Sequence, residues 1–351
     1  MKKLLRLGLK IVGALLLTVA AVLTFGAWQY HRQMAINTPN GINEAGYVRI
    51  GGIDQWVQIR GQDRGNPVLL WLNGGPGAST IHMTYFFRDW EKHFTLVMWD
   101  QRGEGKTFAQ SGDSVAATMT VERMAQDGIE LTEYLRRRLR KEKIILLGHS
   151  WGSILGVHMA QKRPDLFYAY VGTGQVHQMR DDLISSYPRL LARARTMHNE
   201  PATKELESAG PPPYSDAGKY LVPLQWANEL DPPLRFTVAP ASIPAAQWAS
   251  LMQVASLKAL SQGGQFSVDH LLGPILAENL STTAPQLDVP VFVIAGSEDL
   301  VTPQGKTWLD GLRAPRKEFL PISGGGHLAL LGRSTDFLDL LVKRVLPMAR
   351  P

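Results

Sequence analysis

The stretch "KIILLGHSWGSILG", Lys143 to Gly156, constrains the fold more than any other. An aliphatic run of strand length stops at Ser150, which has Gly148 two places before it and Gly152 two places after it. A plain turn needs one glycine. Two of them flanking a serine, with a helix-like segment following, spell G-x-S-x-G on a strand-to-helix turn, the nucleophile elbow. Its serine takes a strained backbone conformation that pushes the hydroxyl out at the end of a sheet, at a cost of about 1–3 kcal/mol. The glycines are needed because side chains there would strike the neighbouring strand or helix.

The surrounding chain supplies that sheet. "NPVLLWLNGG" and "HFTLVMWDQRG" are continuous apolar runs, as in strands buried on both faces. "YAYVGTG", "PVFVIAGSED" and "KEFLPISGGGH" are further strands, and "YVRIGGIDQWVQIRG" predicts a β-hairpin turning at Gly51 and Gly52. "TVERMAQDGIELTEYLRRRLR" has helical spacing, with Thr118 or Thr120 placed to cap it. Strands alternating with helices imply a mostly parallel sheet covered on both sides. The alternation breaks between about Val176 and Asp288, a stretch rich in alanine, leucine and proline. It reads as a helical insertion covering one end of the sheet.

A serine hydroxyl needs a base, and in this architecture the acid and then the histidine follow it along the chain. Asp299 follows the strand "VFVIAGSE" and His327 follows the last strand. Asp299 would hold the imidazole's tautomer and stabilise the imidazolium; Glu298 is its adjacent competitor. An anionic intermediate needs donors: the Trp151 N–H and, from the "NGGPG" turn at Asn73 to Gly77, the N–H of Gly75, with Gly74 as the other candidate. No cofactor is needed. His31, His82, His93, His158, His177, His198 and His270 show no metal spacing, so no metal site is expected.

Together these motifs resemble the α/β-hydrolases and, more narrowly, the proline iminopeptidase family. "NGGPG", "DQRGEGKT" (Asp100 to Thr107), "GHSWG", Asp299 and Gly326-His327 carry the resemblance over about residues 46 to 351. It implies a mostly parallel eight-stranded sheet flanked by helices, with a helical cap. The core would be 46–176 and 289–351, and the cap 177–288. Asp100 and Arg102 would organise loops. Two positions depart from the family pattern: Asn73 stands where it has His, and Thr107 where it has Ser. Asn73 is either a polar contact to substrate or a loop-bracing amide. In the family, acidic cap residues bind the substrate's free α-amine. Glu200, Glu205, Glu207, Glu229 and Asp231 are the candidates here, with Glu229 and Asp231 in "QWANELD" the pair to test first, against an ordinary solvated role.

The N-terminus is a separate object. Lys2, Lys3, Arg6 and Lys10 precede an uncharged apolar run, Ile11 to Trp28, which reaches the lower limit of about 17–20 residues for spanning hydrocarbon. Residues 1–28 read as a membrane anchor with the catalytic body outside the cytoplasm, or as a signal segment cleaved on secretion; 29–45 read as a linker. These residues hold four of the six net positive charges, and the remaining dense run, "RRRLRKEK" at Arg136 to Lys143, reads as a solvated helix end, with contact to anionic lipid as the rival. Nucleic acid is not an expected partner. The chain has no cysteine, which excludes disulfides and thiolate chemistry. The resulting expectation is a serine hydrolase acting through an acyl-enzyme, an aminopeptidase releasing N-terminal proline or another residue from short peptides. The rivals are a carboxylesterase or lipase-like enzyme and a binding protein with a dormant triad.

Overall fold

In a computed structural model, residues 2–232 and 257–349 are described. Eight strands form one sheet in the order β1-β2-β4-β3-β5-β6-β7-β8. β1 (Ile42–Ile50) and β2 (Ile53–Gly61) pair antiparallel about a two-residue turn in which Gly51 and Gly52 have φ of 57° and 78°. That is the left-handed pair a tight hairpin needs. β2 meets β4 antiparallel, and every pairing from β4 through β3 (Val68–Leu72) to β8 is parallel.

The uninterrupted apolar runs become β3, β4 (Thr95–Trp99) and β5 (Ile144–His149), all buried on both faces. Alternate side chains point to opposite sides. Leu70, Leu72, Val97, Trp99 and Leu146 pack beneath α3 (Val121–Leu139) and α4 (Trp151–Lys162). Leu69, Trp71, Leu96, Met98 and Leu147 pack with Phe337, Leu341 and Val345 near the C-terminus. α3 begins where Thr120 caps it, the hydroxyl accepting the Arg123 N–H at 3.1 Å. At its other end the basic run is surface-bound: Arg138 pairs with Glu44, and Lys141 donates to the Gly65 carbonyl.

The connection from β6 (Phe167–Thr173) to β7 (Val291–Gly296) is the insertion. Its described residues form α5 (Met179–Thr196), α6 (Glu200–Ala209), α7 (Leu221–Leu230) and the helix Leu257–Ala277, with no strand among them. The middle of the insertion, 233–256, lies outside the described residues. β3 sits between β4 and β5, so the chain reverses its direction of progress across the sheet there. Ligands of parallel sheets bind at the strands' C-terminal ends beside such a switch.

The N-terminal helix α1 runs Lys2–Met34. Among the described residues it is the one helix long and apolar enough to cross a membrane, and its apolar window is wholly exposed. The linker expected at 29–45 is shorter than that: Gln29 to Met34 continue α1 and β1 begins at Ile42. The helix carries on because its last turn has something to pack on. Tyr30 and Met34 are buried against Tyr85, and the Met34 carbonyl accepts a hydrogen bond from the Arg60 guanidinium at 2.7 Å.

Candidate active site

Ser150 joins β5 to α4 with φ 52° and ψ −121°, a region unfavourable for a residue with a side chain. Its N–H donates to the Thr173 carbonyl at the end of β6 at 3.0 Å, which pins the elbow. The flanking glycines are steric necessities. A Cβ on Gly152 would lie 2.1 Å from the Leu72 carbonyl oxygen, and one on Gly148 would lie 2.6 Å from the Gly152 carbonyl oxygen. The helix after the serine thus presses directly on β3.

Asp299 follows β7 and His327 follows β8 (Lys317–Ile322). The imidazole Nδ1 donates to the Asp299 carboxylate at 3.1 Å. Both groups are buried. Burial alone would raise the Asp299 carboxyl, but the charge and hydrogen bond of His327 and the donors of Thr302 outweigh it and hold it at about 2. The Val301 N–H and the Thr302 N–H and hydroxyl all point at this carboxylate, at 2.8–2.9 Å. Burial lowers His327, but the negative charge of Asp299, with Asp231 and Asp182 behind it, raises it overall. With Nδ1 donating to Asp299, the lone pair is left on Nε2. Neither Nε2 nor Ser150 Oγ is hydrogen-bonded to a described protein group. Glu298, the adjacent acid, is half exposed and faces Arg193 at 3.4 Å.

The "NGGPG" turn lies against the serine. A Cβ on Gly74 would come within 3.0 Å of Ser150 Cβ and 2.8 Å of His149 Nδ1. Gly75 has φ 119°, and a side chain there would meet the amides of Gly77 and Ala78. The N–H groups of Gly75 and Trp151 donate to no protein acceptor among the described residues. Asn73 is buried: its amide donates to the Ala78 carbonyl at 2.7 Å and to Glu104 at 2.9 Å and accepts from Gln101 at 3.0 Å. Those bonds brace the turn. Gln101 also accepts from the Trp151 indole at 3.1 Å, joining the turn to the elbow.

The two acids in "QWANELD" separate. Glu229 is exposed and accepts from Gln225 one turn earlier. Asp231 reaches the site's edge, accepting the backbone N–H of His327 at 2.7 Å. Burial is the main cause that pushes its carboxyl up to about 6.

Three residues near the site carry no sequence signal of their own. The ring of His149, the x of the elbow, lies 4.9 Å from that of His327 at a tilt of 49° and bonds the His327 carbonyl oxygen at 3.2 Å. Burial and then the neighbouring His327 push it down to about 3, so it stays neutral and donates from Nε2. Glu104 is buried under Asn73, its carboxyl raised well above the ordinary range by burial and then by Asp100. Asp182, pushed up to about 8 by burial, accepts the Gln304 N–H at 3.1 Å. Among the described residues, no group of three or more His, Asp or Glu side chains is arranged to hold a metal ion.

Comparison with known proteins agrees with this fold. A family model described as alpha/beta hydrolase fold matches residues 67–334. The Bacillus subtilis (strain 168) protein named "Probable aminopeptidase YbaC" is 31% identical over 301 residues, covering 84% of this chain and 93% of that one. The crystal structure of a proline iminopeptidase from Mycobacterium smegmatis superposes with TM-score 0.63 at 21% identity over 87% of this chain and 99% of that one. A crystal structure titled as a membrane phospholipase A, a bacterial virulence factor, superposes with TM-score 0.63 at 16% identity over 100% of both chains. The chain belongs to the α/β-hydrolase family and is a hydrolase similar to the aminopeptidases and proline iminopeptidases within it.

Proposed function

We propose that the protein is a serine hydrolase that releases N-terminal residues, proline or another, from short peptides. The observation that carries this reading is the buried Asp299–His327 pair, whose imidazole lies 4.9 Å from the ring of His149, the chain neighbour of a strained Ser150; the amides of Gly75 and Trp151 have no described protein acceptor. Ser150 Oγ attacks the scissile carbonyl as His327 Nε2 takes its proton. Asp299 stabilises the imidazolium. The Gly75 and Trp151 amides hold the oxyanion, each worth about 2.7–4 kcal/mol in the transition state. His327 returns the proton to the leaving amine, and water, activated by the same imidazole, then releases the acyl group. The aminopeptidase assignment follows the name of the 31%-identical relative. Asn73, spent on bracing the turn, is not part of the proposed substrate contacts, and neither is the remote Glu229.

We further propose that α1 is retained in a membrane with the catalytic body outside the cytoplasm. The four basic residues ahead of its apolar run favour that orientation. Arg60, which donates to the Met34 carbonyl at the end of α1, pairs in register with Leu96 near the start of β4. Ser150, Asp299 and His327 all follow the opposite, C-terminal ends of their strands. A five-residue strand such as β4 spans roughly 17 Å, so the anchor and the cleft lie toward opposite ends of the parallel strands. That favours a substrate arriving from water over one drawn from the bilayer. The second reading, a carboxylesterase or lipase-like enzyme, keeps the same catalytic groups. The exposed apolar surface of α1, which holds the body close to lipid, is the observation in its favour.

The test is turnover of prolyl and other aminoacyl anilides beside short acyl esters, by wild type and Ser150→Ala. Anilide turnover that drops by about 10⁴-fold or more in Ser150→Ala is expected. Brisk ester cleavage with no anilide turnover replaces the peptidase by the esterase. Undiminished activity in Ser150→Ala removes the nucleophile.

A further inference from the structure

The loops that carry Asp299 and His327 are held from the side of the helical insertion as well as from the sheet. Leu300 and Val301, next to Asp299, are buried in one cluster with Tyr187, Leu190, Trp226 and Leu230 of α5 and α7. Three residues further on, Gln304 donates its N–H to Asp182 and its side-chain amide to the Asp181 carbonyl and to Ser185, all on α5. Among the described residues, the histidine loop has one hydrogen-bonded tie of this kind. Asp231, the residue that ends α7, takes the His327 N–H on Oδ2 at 2.7 Å. Its other oxygen lies 3.5 Å from the Leu300 N–H. One carboxylate therefore faces both loops. The fit allows no side chain at the preceding position: a Cβ on Gly326 would lie 2.0 Å from Asp231 Oδ2.

Both oxygens of this carboxylate face backbone N–H groups of the two loops. The cavity it lines is bounded by Arg193, Glu298, Gly324, Gly325, Leu328 and Arg333 among others, and Ser150 is not in its wall. The charge of Asp231 is nonetheless felt by the imidazole, which it helps to raise.

We propose that Asp231 is a positioning residue for His327, a carboxylate on the insertion that holds the imidazole loop, so that the seating of α7 on the core decides whether the histidine is aligned to accept the serine's proton. The proposal rests on the serine-hydrolase reading and deepens it. Peptide entering beneath the insertion would press on the same helices that hold the base, which ties occupancy of the cleft to competence of His327.

Three variants test it: Asp231→Ala, Asp231→Asn, whose amide oxygen can still accept the His327 N–H, and Gly326→Ala, which breaks the same contact from the loop side. The readouts are the rate at which a fluorophosphonate probe labels Ser150, kcat and KM on the anilides or esters that wild type turns over, and the thermal unfolding midpoint. Misplacing a catalytic group by about 1 Å costs on the order of 100-fold, so Asp231→Ala and Gly326→Ala are expected to lose about 10- to 100-fold in labelling rate and kcat, with KM nearly unchanged. Asp231→Asn is expected to recover most of that loss. Wild-type labelling by folded Asp231→Ala overturns the proposal. So does a change confined to KM for substrates with a free α-amine, with N-acylated substrates and the probe unaffected, because Asp231 is then a binding residue. If Asp231→Ala does not fold, Asp231→Asn and Gly326→Ala decide: equal, wild-type labelling in both overturns the proposal. A wild type that the probe never labels removes the hydrolase reading itself, and the proposed role of Asp231 with it.

Discussion

At Ser150 the backbone works against stability. A φ of 52° with a side chain attached persists because the serine's own N–H is tied to Thr173 and the helix behind it is wedged on β3. Such a conformation costs about 1–3 kcal/mol, and glycine escapes most of it. Ser150→Gly and Ser150→Ala should therefore both be inactive yet differ in stability, with the glycine variant about 1 kcal/mol the more stable in chemical denaturation. Equal midpoints for the two would mean that the elbow carries no strain. The same logic explains why residue types sufficed to find this position: a strained serine requires small neighbours, and Gly148 and Gly152 are visible in the sequence.

Between elements, the decisive contact is α4 against β3. Gly152 touches the Leu72 carbonyl so closely that a methyl group would sit at 2.1 Å from it. Gly152→Ala is thus expected to destabilise the protein by at least the ~1–3 kcal/mol of an overpacked core, measured as a lower denaturation midpoint at unchanged slope. An unchanged midpoint would show that α4 can slide on the sheet. Element types were largely legible because the inner parallel strands, β3 to β7, are mostly buried on both faces and so read as apolar runs. The acid could be placed because it follows such a run, β7, whereas the histidine follows the half-exposed edge strand β8. The bracing of the site was not. Gln101, Glu104, His149 and Asp182 act through contacts between segments tens of residues apart, and no local period records them. Asn73 shows the limit from the other side: its departure from the family pattern was visible in the sequence, but its role depended on Glu104 lying 2.9 Å away. The two acids of "QWANELD" differ by two positions, and only the point where α7 ends puts Asp231 under His327 and leaves Glu229 in solvent.

For the whole molecule, the junction between α1 and the catalytic body is a built contact. The buried Arg60 divides its donors between Glu91, Asn43 and the Met34 carbonyl, and Tyr30 and Met34 cover Tyr85. A chain starting at Trp28 should keep the fold, whereas one starting at Gly41 leaves a buried guanidinium short of an acceptor and should lose about 1.5–3 kcal/mol. Thermal unfolding of the two truncations reads the difference, and identical midpoints would show the junction to be idle. If α1 is embedded as proposed, this junction would leave the hydrolase no swivel at its foot. Under the proposed anchoring, the body would stand off the lipid at one height and one heading, and its substrate would have to come to that fixed address.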